Sequence, residues 1–143
     1  MKIKKLRSDA VTPARATIGS AGYDLYACLK EPVTIKPGAV ETIRSGIAIE
    51  IESADFAAFI FARSGLASAH GITLANGVGV IDSDYRGEIV VPIINHGSEP
   101  FTLKPKDRFA QMVVMPVCLP ELVETDSFNQ TERGQGGFGS TGI

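Results

Sequence analysis

Turn residues interrupt this chain so often that long helices have no room. Glycine (15) and proline (8) recur at short intervals, and runs rich in β-branched and aromatic residues lie between them. Proline breaks a helix interior and glycine weakens one by about 1 kcal/mol relative to alanine, so the pattern predicts short strands. In "VTIKPGAVETIRSGIAIEI" (33–51), Pro37-Gly38 marks a turn. Ile47, Ile49 and Ile51 then alternate with Ala48, Glu50 and Glu52, as in a strand with one buried face. "FAAFIFA" (56–62) is nearly all apolar, the pattern of a strand covered on both faces. In "GEIVVPIINHG" (87–97), Pro92 predicts an edge strand or a bulge. "EPFTLKPKDRFAQMVVMPV" (99–117) holds two runs around a Lys104-Pro105 turn. Only "GLASAH" (65–70) leaves room for a short helical turn. The expected fold is all-β, a jelly-roll-like sandwich or distorted barrel. Composition shifts near Thr131, which predicts one β-domain over 1–130 and a flexible, glycine-rich C-terminal arm over 131–143.

Charge and composition narrow the function. The 143 residues suffice for one domain with its own core, and 44% hydrophobic with 21% charged residues is ordinary for a globular protein. A net charge of −2 sets up no overall field for nucleic acid or an anionic membrane, so neither is an expected partner. Any anion site must be built locally. "MKIKKLRSDA" (1–10) is basic but lacks the apolar core of a signal peptide, and no apolar run is long enough to span a bilayer. A cytoplasmic protein is expected, with Cys28 and Cys118 as two buried, unpaired thiols.

Three stretches could carry chemistry. In "GQGGFGST" (134–141) the spacing is that of a phosphate-binding loop without its lysine. Glycine amides, Ser140, Thr141 and the guanidinium of Arg133 could approach phosphate oxygens, and Phe138 could stack on a base. Taken alone, the stretch also reads as a disordered glycine-rich tail. "NGVGVIDSDYRG" (76–87) reads as a hairpin whose acidic tip offers a carboxylate to activate water, or as a plain Asp/Ser turn. "ARSGLA" (62–67) ends a hydrophobic strand in Arg63-Ser64-Gly65, which can grip phosphate or can be a solvated arginine beside a turn. His70 and His96 belong to no ligand-spaced metal motif. Asp24, Asp82 and Asp84 could assist a Mg²⁺ that keeps its waters and substrate phosphates.

Together these pieces resemble the trimeric dUTPases along almost the whole chain. Five motifs stand in that family's order: "AGYDLYA" (21–27), "RSGLA" (63–67), "GVIDSDYRG" (79–87), "DRFAQMV" (107–113) and "RGQGGFGSTG" (133–142). Ala62 stands where a proline often precedes the arginine, and Lys106 where a glycine is usual. The resemblance implies a homotrimer that hydrolyses dUTP to dUMP and pyrophosphate with Mg²⁺ on the triphosphate. That activity limits uracil in DNA and supplies dUMP for dTMP synthesis. Each site would take motifs from three chains, with the arm closing over a neighbour's site.

By matching positions, Asp82 resembles the general base that holds water in line with the α-phosphorus. Arg63, Ser64, Gly65 and Gln111 resemble the phosphate contacts on the body, and Arg133, Gly139, Ser140 and Thr141 those on the arm. Asp24 resembles an acid that orders water near the metal, with no direct protein ligand expected. Asn76 and the main chain of Gly79, Val80 and Ile81 resemble the uracil pocket, Tyr85 the ring under deoxyribose, and Phe138 the lid on the base. Cytosine would leave buried main-chain groups unpaired at about 1–3 kcal/mol each, whereas a thymine methyl or a ribose hydroxyl would be crowded out. The related dCTP deaminases lack such an arm. A non-catalytic dUTP-binding regulator on the same fold is the reading from another class.

Overall fold

The protein's computed structural model describes residues 1–137. Along them run β1 (Lys2–Lys5), β2 (Tyr23–Tyr26), β3 (Val33–Ile35), β4 (Val40–Arg44), β5 (Ile47–Glu50) and β6 (Phe56–Ala62). Next come α1 (Ser64–His70), β7 (Ile72–Leu74), β8 (Gly79–Ile81), β9 (Val90–Asn95), β10 (Phe101–Leu103) and β11 (Arg108–Pro116). The named strands pair antiparallel throughout. Two larger sheets have the orders β2-β11-β6-β8 and β4-β9-β7, and β1-β5 and β10-β3 form two-stranded ribbons. The fold is thus all-β and of the jelly-roll-like kind expected. Its one described helix falls where "GLASAH" leaves room for it.

Side-chain alternation builds the core. In β9, Val91, Ile93 and Asn95 are buried and the residues between them are not. Ile47, Ile49 and Ile51 are buried as their alternation predicts, and Ala48 is buried with them. Leu25, Ile60, Phe109 and Met112 from one larger sheet meet Ile43, Ile72 and Ile93 from the other. Each such buried side chain stabilises the fold by about 1.5–3 kcal/mol. Asn95 is fully buried yet fully bonded: Nδ2 donates to Ile35 O (2.9 Å) and Glu99 O (2.8 Å), and Oδ1 accepts from Gly97 N (2.8 Å).

Four details differ from the sequence reading. The strand β6 is fully covered on one face, at Ala58 and Ile60, and only partly on the other, where Ala57 is buried and Phe59 and Phe61 are half-buried; Phe56 at its start is exposed. Pro92 lies in a central strand, between β4 and β7, and not at an edge. Its missing N–H falls just where β7 stops, and its carbonyl still accepts from Ala75 N at 2.9 Å. The stretch 76–87 is not a hairpin: β8 pairs with β6, while β9 pairs with β4 and β7, so the turn at Asp82 links two sheets. Cys118 is exposed because it follows β11 into residues 117–137, which contain no helix or strand. Leu119, Leu122, Val123 and Phe128 stand exposed on the same stretch.

Candidate active site

The end of β6 supplies the first half of the site. Arg63 is still extended (φ −83, ψ 128), and the helix begins at the next residue. Its Nε donates to Asp24 Oδ1 at 2.9 Å and its Nη1 to Arg108 O at 3.1 Å. Arg108 Nη1 donates to the other carboxylate oxygen of Asp24 at 3.1 Å. One nearly buried carboxylate, 13% exposed, therefore bridges two guanidinium groups. Gln111 Nε2 donates to Ala62 O at 2.9 Å, which anchors that side chain beside Arg63. Asp24, Arg63, Ser64, Gly65, Arg108 and Gln111 line a cleft of about 320 Å³, closed on one side by the loop that ends at Gly22. Two cations against one anion leave the cleft with a positive balance, suited to phosphate oxygens. The first amides of α1, at Ser64 and Gly65, have no acceptor within the helix.

A β-bulge assembles this cluster. Residues three apart on a regular strand point to opposite faces, which would part Arg108 from Gln111. The register of β11 against β2 shifts between Arg108 and Ala110. Phe109 and Ala110 are then both buried, and Arg108 and Gln111 line the same cleft. Gly22 packs against Gln111: a methyl group on it would lie 2.7 Å from Oε1 and displace the end of that side chain. Arg108 and Gly22 both sit inside motifs of the sequence reading, "DRFAQMV" and "AGYDLYA", yet neither carries a role in it.

The second half lies on β8 and the turn after it. Gly79 packs on Ile60, where a methyl group would come within 3.1 Å of Cβ. Asn76 and Val80 are exposed, while Gly79 and Ile81 are half-buried. Asp82 O accepts from Tyr85 N at 3.1 Å, which closes the turn, and the Asp82 side chain is exposed. Tyr85 Oη donates to Glu88 O at 3.0 Å, which fixes a ring that is 44% exposed. Asp82, Ser83 and Asp84 border an open hollow with Phe56, Ala57 and Leu119.

These two halves are not together in one chain. In the β6–β8 register Ala58 faces Ile81, so Asp82 falls beside Ala57. Arg63 stands six residues further along β6, about 20 Å away at the usual rise per residue. Arg133 is exposed, and its Nε donates to Gly136 O (2.9 Å) within its own loop. Phe138, Gly139, Ser140 and Thr141 lie outside the described residues.

Comparison with known proteins agrees along the full length. The dUTPase family model matches residues 8–142. The chain is 55% identical over 145 residues to the deoxyuridine 5'-triphosphate nucleotidohydrolase of Desulfitobacterium hafniense, covering 100% of this chain and 96% of that protein. It is 49% identical over 142 residues to the protein of that name from Paraburkholderia xenovorans, covering 99% and 96%. Among solved structures it is similar to the Staphylococcus bacteriophage 80alpha dUTPase with dUPNHPP, at a TM-score of 0.84 and 26% identity over 99% of this chain and 98% of that one. With its arginine-lined cleft, its β8 turn and this match from end to end, the chain belongs to the dUTPase family.

Proposed function

We propose that the protein hydrolyses dUTP to dUMP and pyrophosphate inside the cell, with water attacking the α-phosphorus. The observation that carries this reading is the pair of guanidinium groups held on Asp24 beside Ser64 and Gln111, in a chain of this family. Arg63, Ser64, Gly65 and Gln111 bind phosphate oxygens, which positions the triphosphate and neutralises its charge. Asp82, exposed on its turn, takes the proton of the attacking water. Asn76 and the main chain from Gly79 to Ile81 read the uracil edge, and Tyr85 packs against the deoxyribose. An arm over 131–143, beyond a β-domain of 1–130, closes on the site: Arg133, Gly139, Ser140 and Thr141 grip phosphate, and Phe138 covers the base.

The assembly is a homotrimer in which each site draws on several chains. Two features support this. Asp82 and Arg63 stand about 20 Å apart along one sheet, too far to serve one phosphorus. Phe56, Leu119, Leu122, Val123 and Phe128 leave apolar surface that a single chain does not cover.

Mg²⁺ fits this site as an ion carried on substrate phosphates. Among the described residues no three His, Cys, Asp or Glu side chains gather as a cage. Asp24 gives one lone pair of each oxygen to an arginine, so its remaining lone pairs can still order a water near the ion. When bound, the metal neutralises charge on the phosphates.

The test is turnover of dUTP with Mg²⁺ in ¹⁸O-water. Release of pyrophosphate with the label in dUMP supports the proposal. Label in pyrophosphate would overturn attack at the α-phosphorus, and binding without turnover would leave a nucleotide-binding protein on this fold.

A further inference from the structure

Arg108 is assigned no contact with substrate above, yet it is tied into the phosphate cleft through both side chain and main chain. Its Nη1 holds Asp24 Oδ2 at 3.1 Å, and its carbonyl accepts Arg63 Nη1 at 3.1 Å. That carbonyl is free for this bond because the β11–β6 ladder ends at Ala110–Ala62, two residues short of it. Arg63 is therefore gripped on two sides, by Asp24 at Nε and by Arg108 O at Nη1. Asp24 in turn is held from both of its oxygens.

We infer that Arg108 is a positioning residue for Arg63. It fixes Asp24 and the guanidinium plane of Arg63 before substrate arrives, so that the unused N–H groups of Arg63 meet the polyphosphate in one orientation. Ordering a long side chain in advance removes that entropy from the binding step. A planar guanidinium locked in register also suits bidentate contact with phosphate. The inference rests on the reading of the cleft as a polyphosphate site, and it makes Arg108 act through Arg63 and not as a second phosphate ligand.

The experiment compares Arg108→Ala, Arg108→Lys, Arg63→Ala and the double alanine variant in the full chain. Binding of inorganic triphosphate, of a non-hydrolysable dUTP analogue with Mg²⁺ and of deoxyuridine is measured, with thermal unfolding as the folding control. Arg108→Ala should weaken both phosphate ligands at least about tenfold and leave deoxyuridine within about twofold. The double variant should bind triphosphate no more weakly than Arg63→Ala alone. Arg108→Lys, which keeps the side-chain charge on Asp24, should recover part of the loss and serves if the alanine variant does not fold; the main-chain carbonyl is common to every variant. Additive losses, or equal losses for all three ligands, would overturn the inference. A substrate-free readout separates it from the function itself. The Arg63 Nε–H should exchange with water at least about tenfold faster in Arg108→Ala than in the parent. If the parent neither binds triphosphate nor turns over dUTP, the cleft reading fails. Unchanged exchange would sink the positioning role on its own.

Discussion

Tyr85 occupies the space that a side chain on Gly87 would need. A methyl group on Gly87 would overlap the phenol oxygen and lie 2.5 Å from Cζ of the ring. Gly87→Ala should therefore push the ring off its place at a cost of about 1–3 kcal/mol. If Tyr85 excludes a 2′-hydroxyl, the ratio of kcat/KM for dUTP over UTP should fall in Gly87→Ala as it does in Tyr85→Ala. Tyr85→Phe keeps the ring, loses only the bond to Glu88 O, and should leave the ratio close to that of the parent. Steady-state rates on both nucleotides check this, and an unchanged ratio in Gly87→Ala places sugar selection elsewhere.

The separation of Asp82 from Arg63 along β6 and β8 makes a prediction about mixed oligomers. Asp82→Asn should lower turnover at least about a hundredfold with dUTP affinity nearly kept. Arg63→Ala should be impaired in phosphate binding. Refolding the two variants together should restore activity in about a quarter of sites, those that take an intact Asp82 from one chain and an intact Arg63 from another. No recovery on mixing would mean that both groups come from the same chain.

Lys106 is the one non-glycine residue with positive φ (67) among the described residues. It sits in the turn between β10 and β11, where its N–H donates to Ala27 O at 2.8 Å. The left-handed conformation costs a side-chain-bearing residue about 1–2 kcal/mol, while glycine gives back about 0.4–1 kcal/mol through the unfolded chain. Lys106→Gly should therefore raise stability by up to about 1 kcal/mol in denaturant melts, and Lys106→Val should lower it by at least that much. Equal midpoints for all three proteins would show that the turn relaxes around the side chain.

The two thiols should behave as opposites. Burial pushes the Cys28 thiol up from its ordinary range, and a bond to Asp9 Oδ1 (3.5 Å) adds to the rise. A raised thiol pKa means less thiolate at neutral pH, so Cys28 should resist alkylation until the fold opens. Cys118 is exposed and should react at once. Thiol titration of native protein should count one reactive group, lost in Cys118→Ser, and a second only in denaturant. Two fast-reacting thiols in native protein would contradict the burial of Cys28.

Local rules made much of this protein readable before any coordinates. The turn at Pro37-Gly38 is there, with Gly38 at φ 75, because few residues other than glycine accept that angle. Ile47, Ile49 and Ile51 face inward because side chains on a strand alternate. The short helix after Arg63 ends where Gly71 takes φ 69 and a side chain would collide with Gly97. Motif order named the family from residue identities alone, and Arg63, Ser64, Gly65, Gln111 and Asp24 do line one cleft.

Register and pairing were not readable in that way. Gln111 lies three positions beyond Arg108, which on a straight strand puts them on opposite faces. Only the bulge against β2 brings them to the same cleft. Pro92 lies in a central strand because β7 happens to stop beside it, and β8 chose β6 over its sequence neighbour β9. The wide spacing of Asp82 and Arg63 likewise follows from which residue of β6 faces which residue of β8. Sequence by itself determined the turns, the alternation and the chemical groups, since those depend on each residue and its neighbours. Tertiary structure decided pairing and register, since these are settled by burial summed over strands distant in the chain.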